Sequence, residues 1–230
     1  MFRSICFAIL VALGIGNFAN AQTADDTGLW LAALGNGEFK TLGDESRLRW
    51  WFDAHYRLRD DTNGFNQSIV RPGLGYKLNK NQTVWAGYGW INTSPVAGDD
   101  FDEHRIWQQW TASPSLGCWK FLHRSRFEQR LVETGDDVGL RWRQLFRGQR
   151  VINHSPEWSL VLWDEAFFNL NDTDWGAQSG FDQNRAFIGF GYKRFAESKV
   201  RTEIGYLNQF VDREEGADGL NHILSVNFFF

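Results

Sequence analysis

The chain has 230 residues, of which 43% are hydrophobic and 16% aromatic, and it carries a formal net charge of −4. After residue 21 no apolar run approaches the roughly 18 residues that a membrane-spanning helix needs, which excludes a helical membrane bundle. The 12 tryptophans and 20 phenylalanines can bury ample apolar surface, so a disordered chain is excluded as well.

The N-terminus has the pattern of a secretory signal peptide. Arg3 provides a positive start, residues 5–15 are apolar, and Ala19-Asn20-Ala21 matches the small-x-small pattern of a cleavage site. We therefore predict export by the general secretory route with signal peptide 1–21, and a single mature domain over residues 22–230. Cleavage removes Arg3 and lowers the net charge to −5. It also leaves Cys118 as the one cysteine, so no intramolecular disulfide can form.

The segment 47–59 alternates with a period of two residues. One face reads Leu48, Trp50, Phe52, Ala54, Tyr56 and Leu58, and the other reads Arg47, Arg49, Trp51, Asp53, His55, Arg57 and Arg59. A helix would mix these two sets, whereas a β-strand keeps them on opposite faces. The charged face excludes a strand that is buried on both sides. We predict a strand with one apolar face and one polar face.

The same alternation recurs along the chain. Clear segments are 70–77, 85–90, 185–193, 199–206 and 221–230, and less regular ones are 29–39, 102–112, 121–132, 137–147 and 157–170. Glycines such as Gly87 and Gly89 lie within the strands, where they indicate room for a bulky neighbouring side chain. With 47–59 there are eleven segments, each pairing an aromatic-rich face with a charged or glycine face. This is typical of an all-β fold, a transmembrane antiparallel up-and-down β-barrel with a polar lumen.

The connections alternate in length. Tight turns are predicted at 79–81 and 196–198, and long loops rich in Asp, Gly and Asn at 93–101, 171–182 and 211–219. Short periplasmic turns and long external loops are typical of outer-membrane barrels. Eleven segments cannot form an even-numbered barrel with both ends in the periplasm. The prediction is therefore 10–12 strands, with ten if 29–39 does not span and twelve, which we prefer, if one strand is overlooked.

The chain ends on Phe230, after Asn227-Phe228-Phe229. A C-terminal aromatic residue on a last strand resembles the signature that the barrel-assembly machinery reads in bacterial outer-membrane proteins. Together with the signal peptide and the alternating strands, it predicts location in the outer membrane of a Gram-negative bacterium. The expected partners are outer-membrane lipids, lipopolysaccharide and, through Phe230, the assembly machinery; the oligomeric state stays open.

Several short motifs, in their order along the mature chain, resemble the outer-membrane proteins grouped as domain of unknown function 2490. They are Glu103-His104-Arg105-Ile106-Trp107-Gln108-Gln109, Arg126-Phe127-Glu128-Gln129-Arg130, Asp164-Glu165-Ala166-Phe167-Phe168-Asn169-Leu170, Asp182-Gln183-Asn184-Arg185, Gly205-Tyr206-Leu207-Asn208-Gln209 and Asn221-His222. The resemblance implies an outer-membrane barrel. It assigns no activity, so no catalytic residue can be carried over from the family.

Arginines dominate the polar faces. The candidate lumen-facing residues are Arg47, Arg49, Arg57, Arg59, Arg71, Arg105, Arg124, Arg126, Glu128, Arg130, Arg141, Arg143, Glu165, Arg185, Arg201 and Glu203. One hypothesis is a narrow porin-like channel whose wall attracts small anionic solutes such as acidic sugars. The alternative is a closed structural or adhesive barrel in which the arginines pair with Asp53, Glu103, Glu128, Glu165 and Glu203. A barrel of this size lies between side-chain-filled and water-filled lumens, so both stay open.

Signals for other chemistry are weak. The five histidines are scattered, and no nucleophile-elbow, zincin or phosphate-loop motif is present. A lipid-modifying enzyme would need a histidine with a hydroxyl or carboxylate partner at the lipid-facing surface. We predict no catalytic site, no cofactor and no metal site. The negative mature charge disfavours nucleic-acid binding.

Overall fold

The computed structural model describes residues 23–39, 46–62, 64–152, 155–193, 200–213 and 216–230. The predicted signal peptide lies outside these residues, as does the predicted turn at 196–198. The strands are β1 (Thr23–Glu38), β2 (Leu48–Arg59), β3 (Gly64–Asn79), β4 (Gln82–Thr93), β5 (Phe101–Ala112), β6 (Ser115–Leu116), β7 (Trp119–Val132), β8 (Val138–Ile152), β9 (Ser155–Asn169), β10 (Gly180–Tyr192), β11 (Arg201–Val211) and β12 (Asp218–Phe229). In this part of the chain there is no helix with the length and apolarity needed to cross a membrane.

The strands form one sheet that closes on itself. Consecutive long strands are antiparallel neighbours, with β5 paired to β7, while the two-residue β6 pairs with β7 alone. Closure is made by β1 and β12, which run parallel in continuous register from Thr23 opposite Asp218 to Leu34 opposite Phe229. Eleven long strands therefore form a closed barrel, and β6 brings the described sheet to twelve strands.

The all-β barrel and its strand range are confirmed. Each of the eleven predicted segments corresponds to one long strand, including 29–39, which forms part of β1 and spans the sheet. The difference lies in the closure. The parity argument assumed that every neighbouring pair is antiparallel, and the parallel pair of β1 and β12 removes that requirement.

The three predicted long loops lie at one end of the barrel and the predicted tight turn at 79–81 lies at the other, although connection length does not separate the two ends throughout. Antiparallel neighbours place the connections 60–63, 94–100, 133–137, 170–179 and 212–217 at one end, here called the loop end, together with the start of β1. The opposite, turn end carries the tight connection between Asn79 and Gln82, as predicted, and the C-terminal Phe230.

Alternation also sorts the side chains into an inner and an outer face. Leu74, Ile106, Phe146, Ile188 and Leu224 lie on the outer face and are exposed, each by more than half. Their strand neighbours on the inner face include Arg105, Leu145 and Phe187, which are buried. The predicted assignment of an apolar outer face and a charged inner face is therefore found in the fold.

Glycines on the inner face make room for an indole, as the sequence indicates. A Cβ on Gly73 would lie 2.5 Å from the Trp107 ring, and one on Gly87 would overlap both that ring and the backbone oxygen of Pro72. Trp107 fills this space completely and has no exposed surface. One side of the lumen is therefore packed by an aromatic ring that lies against two bare backbones.

Candidate functional site in the barrel lumen

Glu128 on β7 is the centre of the lumen's charge network. Its carboxylate accepts hydrogen bonds from Arg141 Nη2 at 2.7 Å and Nε at 3.1 Å, and from Arg143 Nη1 at 2.7 Å. Nη1 atoms of Arg105 and Arg126 lie 3.9 and 3.8 Å from it. Glu128 has no exposed surface. Four guanidinium groups therefore surround one buried carboxylate.

Glu165 on β9 extends the same network. It accepts hydrogen bonds from Arg124 Nη2 at 2.7 Å and from Arg143 Nε at 3.0 Å. Arg143 thus bridges Glu165 and Glu128. A guanidinium is suited to this role because its fork of donors can serve two carboxylates at once.

Glu103 on β5 accepts hydrogen bonds from two arginines on the loop-end side of this network. Arg105 donates to it through Nε at 2.6 Å and Nη2 at 2.7 Å, and Arg130 through Nε at 2.6 Å and Nη2 at 3.1 Å. The ring of Trp175, from the loop 170–179, lies 4.7 Å from the Arg130 guanidinium. The loop therefore reaches a lumen-lining side chain.

Two further carboxylates complete the set. Asp53 accepts hydrogen bonds from Arg71 Nε at 2.7 Å and Trp51 Nε1 at 2.6 Å. Toward the turn end, Glu203 accepts from Arg147 Nη1 at 2.9 Å, and Arg201 Nη2 lies 3.1 Å away. Each carboxylate that was expected to pair with arginine accepts at least one arginine hydrogen bond; these are Asp53, Glu103, Glu128, Glu165 and Glu203.

Aromatic rings fill the space between the ion pairs. The Arg126 guanidinium lies 4.6 Å from the Trp107 ring centre, and that of Arg143 lies 4.4 Å from the Phe167 ring centre. Trp107, Phe167 and Arg126 are each at most 1% exposed. Cation–π contacts of this kind stabilise guanidinium groups more strongly when these groups are removed from water. The middle of the barrel is therefore a packed core of charged and aromatic side chains.

The candidate residues lie on the inner face with one exception. Arg47 precedes β2 and is exposed at the turn-end rim, because the alternating strand begins one residue later at Leu48. Arg47 therefore lies at the end of the barrel, outside the packed lumen. Arg49 and Arg59 line the two rims and pair with Glu38 at 2.9 Å and Asp26 at 2.7 Å.

Sequence reasoning missed two groups of lumen residues. Arg147 pairs with Glu203, and continuing the alternation of Arg141 and Arg143 by two steps would have found it. The inward tryptophans Trp30 and Trp107 were missed for a different reason. Both faces of their strands mix apolar and polar residues, so alternation separates the faces without telling which one holds the rings.

The loop 170–179 is fastened to the loop 133–137 at the loop end. The Asp174 carboxylate accepts hydrogen bonds from the backbone N–H groups of Asp136 at 2.8 Å and Asp137 at 3.2 Å. Trp175 Nε1 donates to the backbone oxygen of Asp137 at 2.8 Å. The two backbone donors hold the pKa of the Asp174 carboxyl below its ordinary value.

Replacing Asp174 with asparagine is expected to loosen this loop contact at neutral pH. A carboxyl with a lowered pKa stabilises the contact above its ordinary pKa and loses that effect as the pH falls through the lowered value. Protection factors of the Asp136 and Asp137 amides against hydrogen exchange should therefore drop at acid pH in the wild type. In D174N they should be low and independent of pH. D100N, in the separate loop 94–100, serves as control, and unchanged protection in D174N would contradict the assignment.

The outer face carries histidine contacts that bear on the enzyme hypothesis. Tyr206 Oη lies 2.6 Å from His222 Nδ1, and Tyr88 makes the same contact with His104. Both pairs meet the stated requirement for a histidine with a hydroxyl partner. Ser125 also lies near a histidine, His123, but the side chain of Gln144 lies between them. Its Oε1 is 2.9 Å from His123 Nε2, and its amide nitrogen donates to Ser125 Oγ at 2.6 Å. Each of these histidines therefore contacts the side chain of a tyrosine or a glutamine on a neighbouring strand.

Comparison with known proteins gives a match over most of the chain. The sequence profile described as "Protein of unknown function (DUF2490)" matches residues 27–221. The chain is also 34% identical over 230 residues to an uncharacterized protein of Methylorubrum extorquens, a match that covers 98% of this chain and 96% of that relative. No solved structure is detectably similar.

Proposed function

The chain belongs to the family of proteins of unknown function DUF2490, and from this premise we propose that it is a closed β-barrel of the Gram-negative outer membrane. Its lumen serves as a salt-bridged core. Any functional contact is then made by the ends of the barrel and by its lipid-facing surface. This role corresponds to the closed structural or adhesive barrel, one of the two hypotheses that the sequence leaves open.

The outer face supports the membrane location. Large apolar side chains are exposed around the barrel, among them Leu74 at 64%, Phe146 at 61% and Ile188 at 54%. Soluble monomers rarely expose apolar patches on this scale. Closure also pairs both edges of each of the eleven long strands, and a hydrocarbon environment requires such pairing of the backbone. Outer-membrane lipids and lipopolysaccharide are therefore the proposed surroundings of this face.

The C-terminus supports assembly in that membrane. The backbone N–H of Phe230 donates to Leu34 O at 3.0 Å, so this residue continues the closing seam, and it is 51% exposed. An accessible terminal ring is what the assembly machinery would read. The signal peptide 1–21 would bring the chain to that machinery through the general secretory route.

The single observation that carries the closed lumen is the burial of its centre. Arg126 and Glu128 come from the inner face of one strand and Trp107 from its neighbour, and none of the three has exposed surface. An aqueous channel for solutes would leave the charged members of such a set in contact with water. Side chains thus fill this barrel, as they do in smaller barrels.

Planar-bilayer recording tests this closure. The purified protein is expected to produce no current steps at moderate voltages, because no water column passes the buried ion pairs. An unrelated open porin in the same bilayer provides the positive control. The channel hypothesis, favoured by the excess of lumen arginines over carboxylates, predicts small anion-preferring steps that shrink in R124E and R126E. Observing such steps would refute the closed barrel. We expect no enzymatic activity, because the described histidines of the outer face hydrogen-bond to tyrosine and glutamine side chains rather than to a serine or a carboxylate.

A further inference from the structure

Positive charge exceeds negative charge in the middle of the lumen. Nine arginines, Arg57, Arg71, Arg105, Arg124, Arg126, Arg130, Arg141, Arg143 and Arg185, share five carboxylates: the buried Asp53, Glu103, Glu128 and Glu165, and the half-buried Asp182, which lies 3.6 Å from Arg141. A buried charge that has no counter-charge is costly. The surplus therefore calls for a negative partner.

Two of these arginines, Arg57 and Arg185, are the ones of this set that form no ion pair with a described residue. Within the described part of the chain neither has a carboxylate oxygen within 4 Å, and Arg185 forms no hydrogen bond either, although it lies opposite Glu165 in the register of β9 and β10. Both side chains are more than nine-tenths buried. Arg57 has one neutral partner, Gln67, which accepts from its Nη1 at 2.8 Å.

Both guanidinium groups lie over one indole. Arg57 is 3.8 Å and Arg185 is 4.8 Å from the ring centre of Trp30. Three buried N–H donors in this group have no acceptor, namely Trp30 Nε1, Arg57 Nε and Arg185 Nε. Two like charges and three unused donors around one ring form a site that lacks an acceptor.

We propose that this group, the Trp30 site, binds a small inorganic oxyanion such as phosphate. An oxyanion supplies both the missing negative charge and several acceptor oxygens, and guanidinium forks match its geometry. A single chloride would neutralise charge without matching the fork. Arg57 lies two residues from the loop end of β2 and Arg185 five residues into β10, so the anion enters from the loop end.

The position of the site gives the anion a structural role. Trp30 lies on β1, next to the parallel seam with β12, while Arg185 lies on β10, beyond β11. A bound anion would hold side chains from both sides of the seam. Binding to the folded barrel alone raises its stability by mass action. The inference goes beyond the closed-barrel proposal and does not depend on it.

The test uses the complete mature barrel, purified in detergent, with thermal unfolding and titration calorimetry. Inorganic phosphate is added at constant ionic strength to the wild type and to R185Q. The wild-type unfolding temperature is expected to rise and saturate with phosphate. R185Q should bind phosphate about tenfold more weakly or worse, the loss expected for one charge-assisted hydrogen bond. Without phosphate R185Q should be at least as stable as the wild type, because the substitution removes an unpaired charge.

The order of the two unfolding temperatures should therefore reverse when phosphate is added. R47Q removes the same charge from the exposed rim and should respond like the wild type. A wild type that does not respond, or an R185Q response equal to that of R47Q, would overturn the proposal. Failure of R185Q to fold without phosphate would also overturn it, since that would mean Arg185 already has a partner. R57Q provides an independent second variant with the same expected reversal.

Discussion

Replacing Glu128 with alanine is expected to destabilise the barrel by about 3–5 kcal/mol, the usual effect of breaking a buried ion pair. The substitution leaves Arg141 and Arg143 without the carboxylate that now lies 2.7 Å from each of them. Arg143 keeps Glu165, so most of the cost comes from the positive charge left uncompensated around the vacated site. Urea unfolding in lipid vesicles, followed by tryptophan fluorescence, measures the change in free energy.

The matched control is Glu38→Ala. Glu38 also pairs with an arginine, Arg49 at 2.9 Å, but it lies at the rim with 39% of its side chain exposed. Exposed ion pairs contribute about 0–1 kcal/mol. An E128A variant no less stable than E38A would mean that water reaches the middle of the lumen and screens its charges.

Replacing Trp107 with alanine is expected to cost about 3–5 kcal/mol, as truncations of large buried aromatics do. The indole packs against Gly73 and Gly87, which have no side chains to move into the void. It also donates from Nε1 to Tyr88 O at 3.1 Å and supports the Arg126 guanidinium. Unfolding in the same vesicles measures the loss.

Trp110→Ala is the control for the tryptophan truncation. Trp110 lies on the same strand and faces outward, where its ring contacts His123 with centres 5.4 Å apart. In the proposed membrane location lipid would fill the space that Trp110 leaves, so the loss should be clearly smaller. Equal losses at positions 107 and 110 would indicate that the inner face is no better packed than the outer one.

The period of two residues was sufficient to predict most of the fold. It separates Arg105 from Ile106 and Phe187 from Ile188 without any knowledge of partners, because neighbouring strand residues point to opposite faces. That the long strands close into an odd-numbered barrel could not be predicted from this alternation. Whether β1 and β12 run parallel depends on which edges meet when the sheet closes, and no local pattern in either strand encodes that meeting.

The composition of the site was predictable but its pairing was not. Alternation places Glu128, Arg143 and Glu165 on the inner face. In register, however, Arg143 lies opposite Arg126 and Phe167, while its two carboxylates lie on the diagonals. Long arginine side chains reach those diagonals, and only the register of three strands determines which ones. The Trp30 site likewise depends on β1 and β10 coming together across the seam.

The most direct measurement is a nitroxide scan along β10. Single cysteines at positions 186, 187, 188 and 190, introduced with Cys118 replaced by serine, are labelled in vesicles and tested for collision with oxygen and with a water-soluble nickel reagent. Labels at Ala186, Ile188 and Phe190 should collide with oxygen from the lipid, and the label at Phe187 should be shielded by the packed lumen. Shielded labels at Ile188 and Phe190, or nickel collisions at Phe187, would contradict a closed barrel with an apolar surface in lipid.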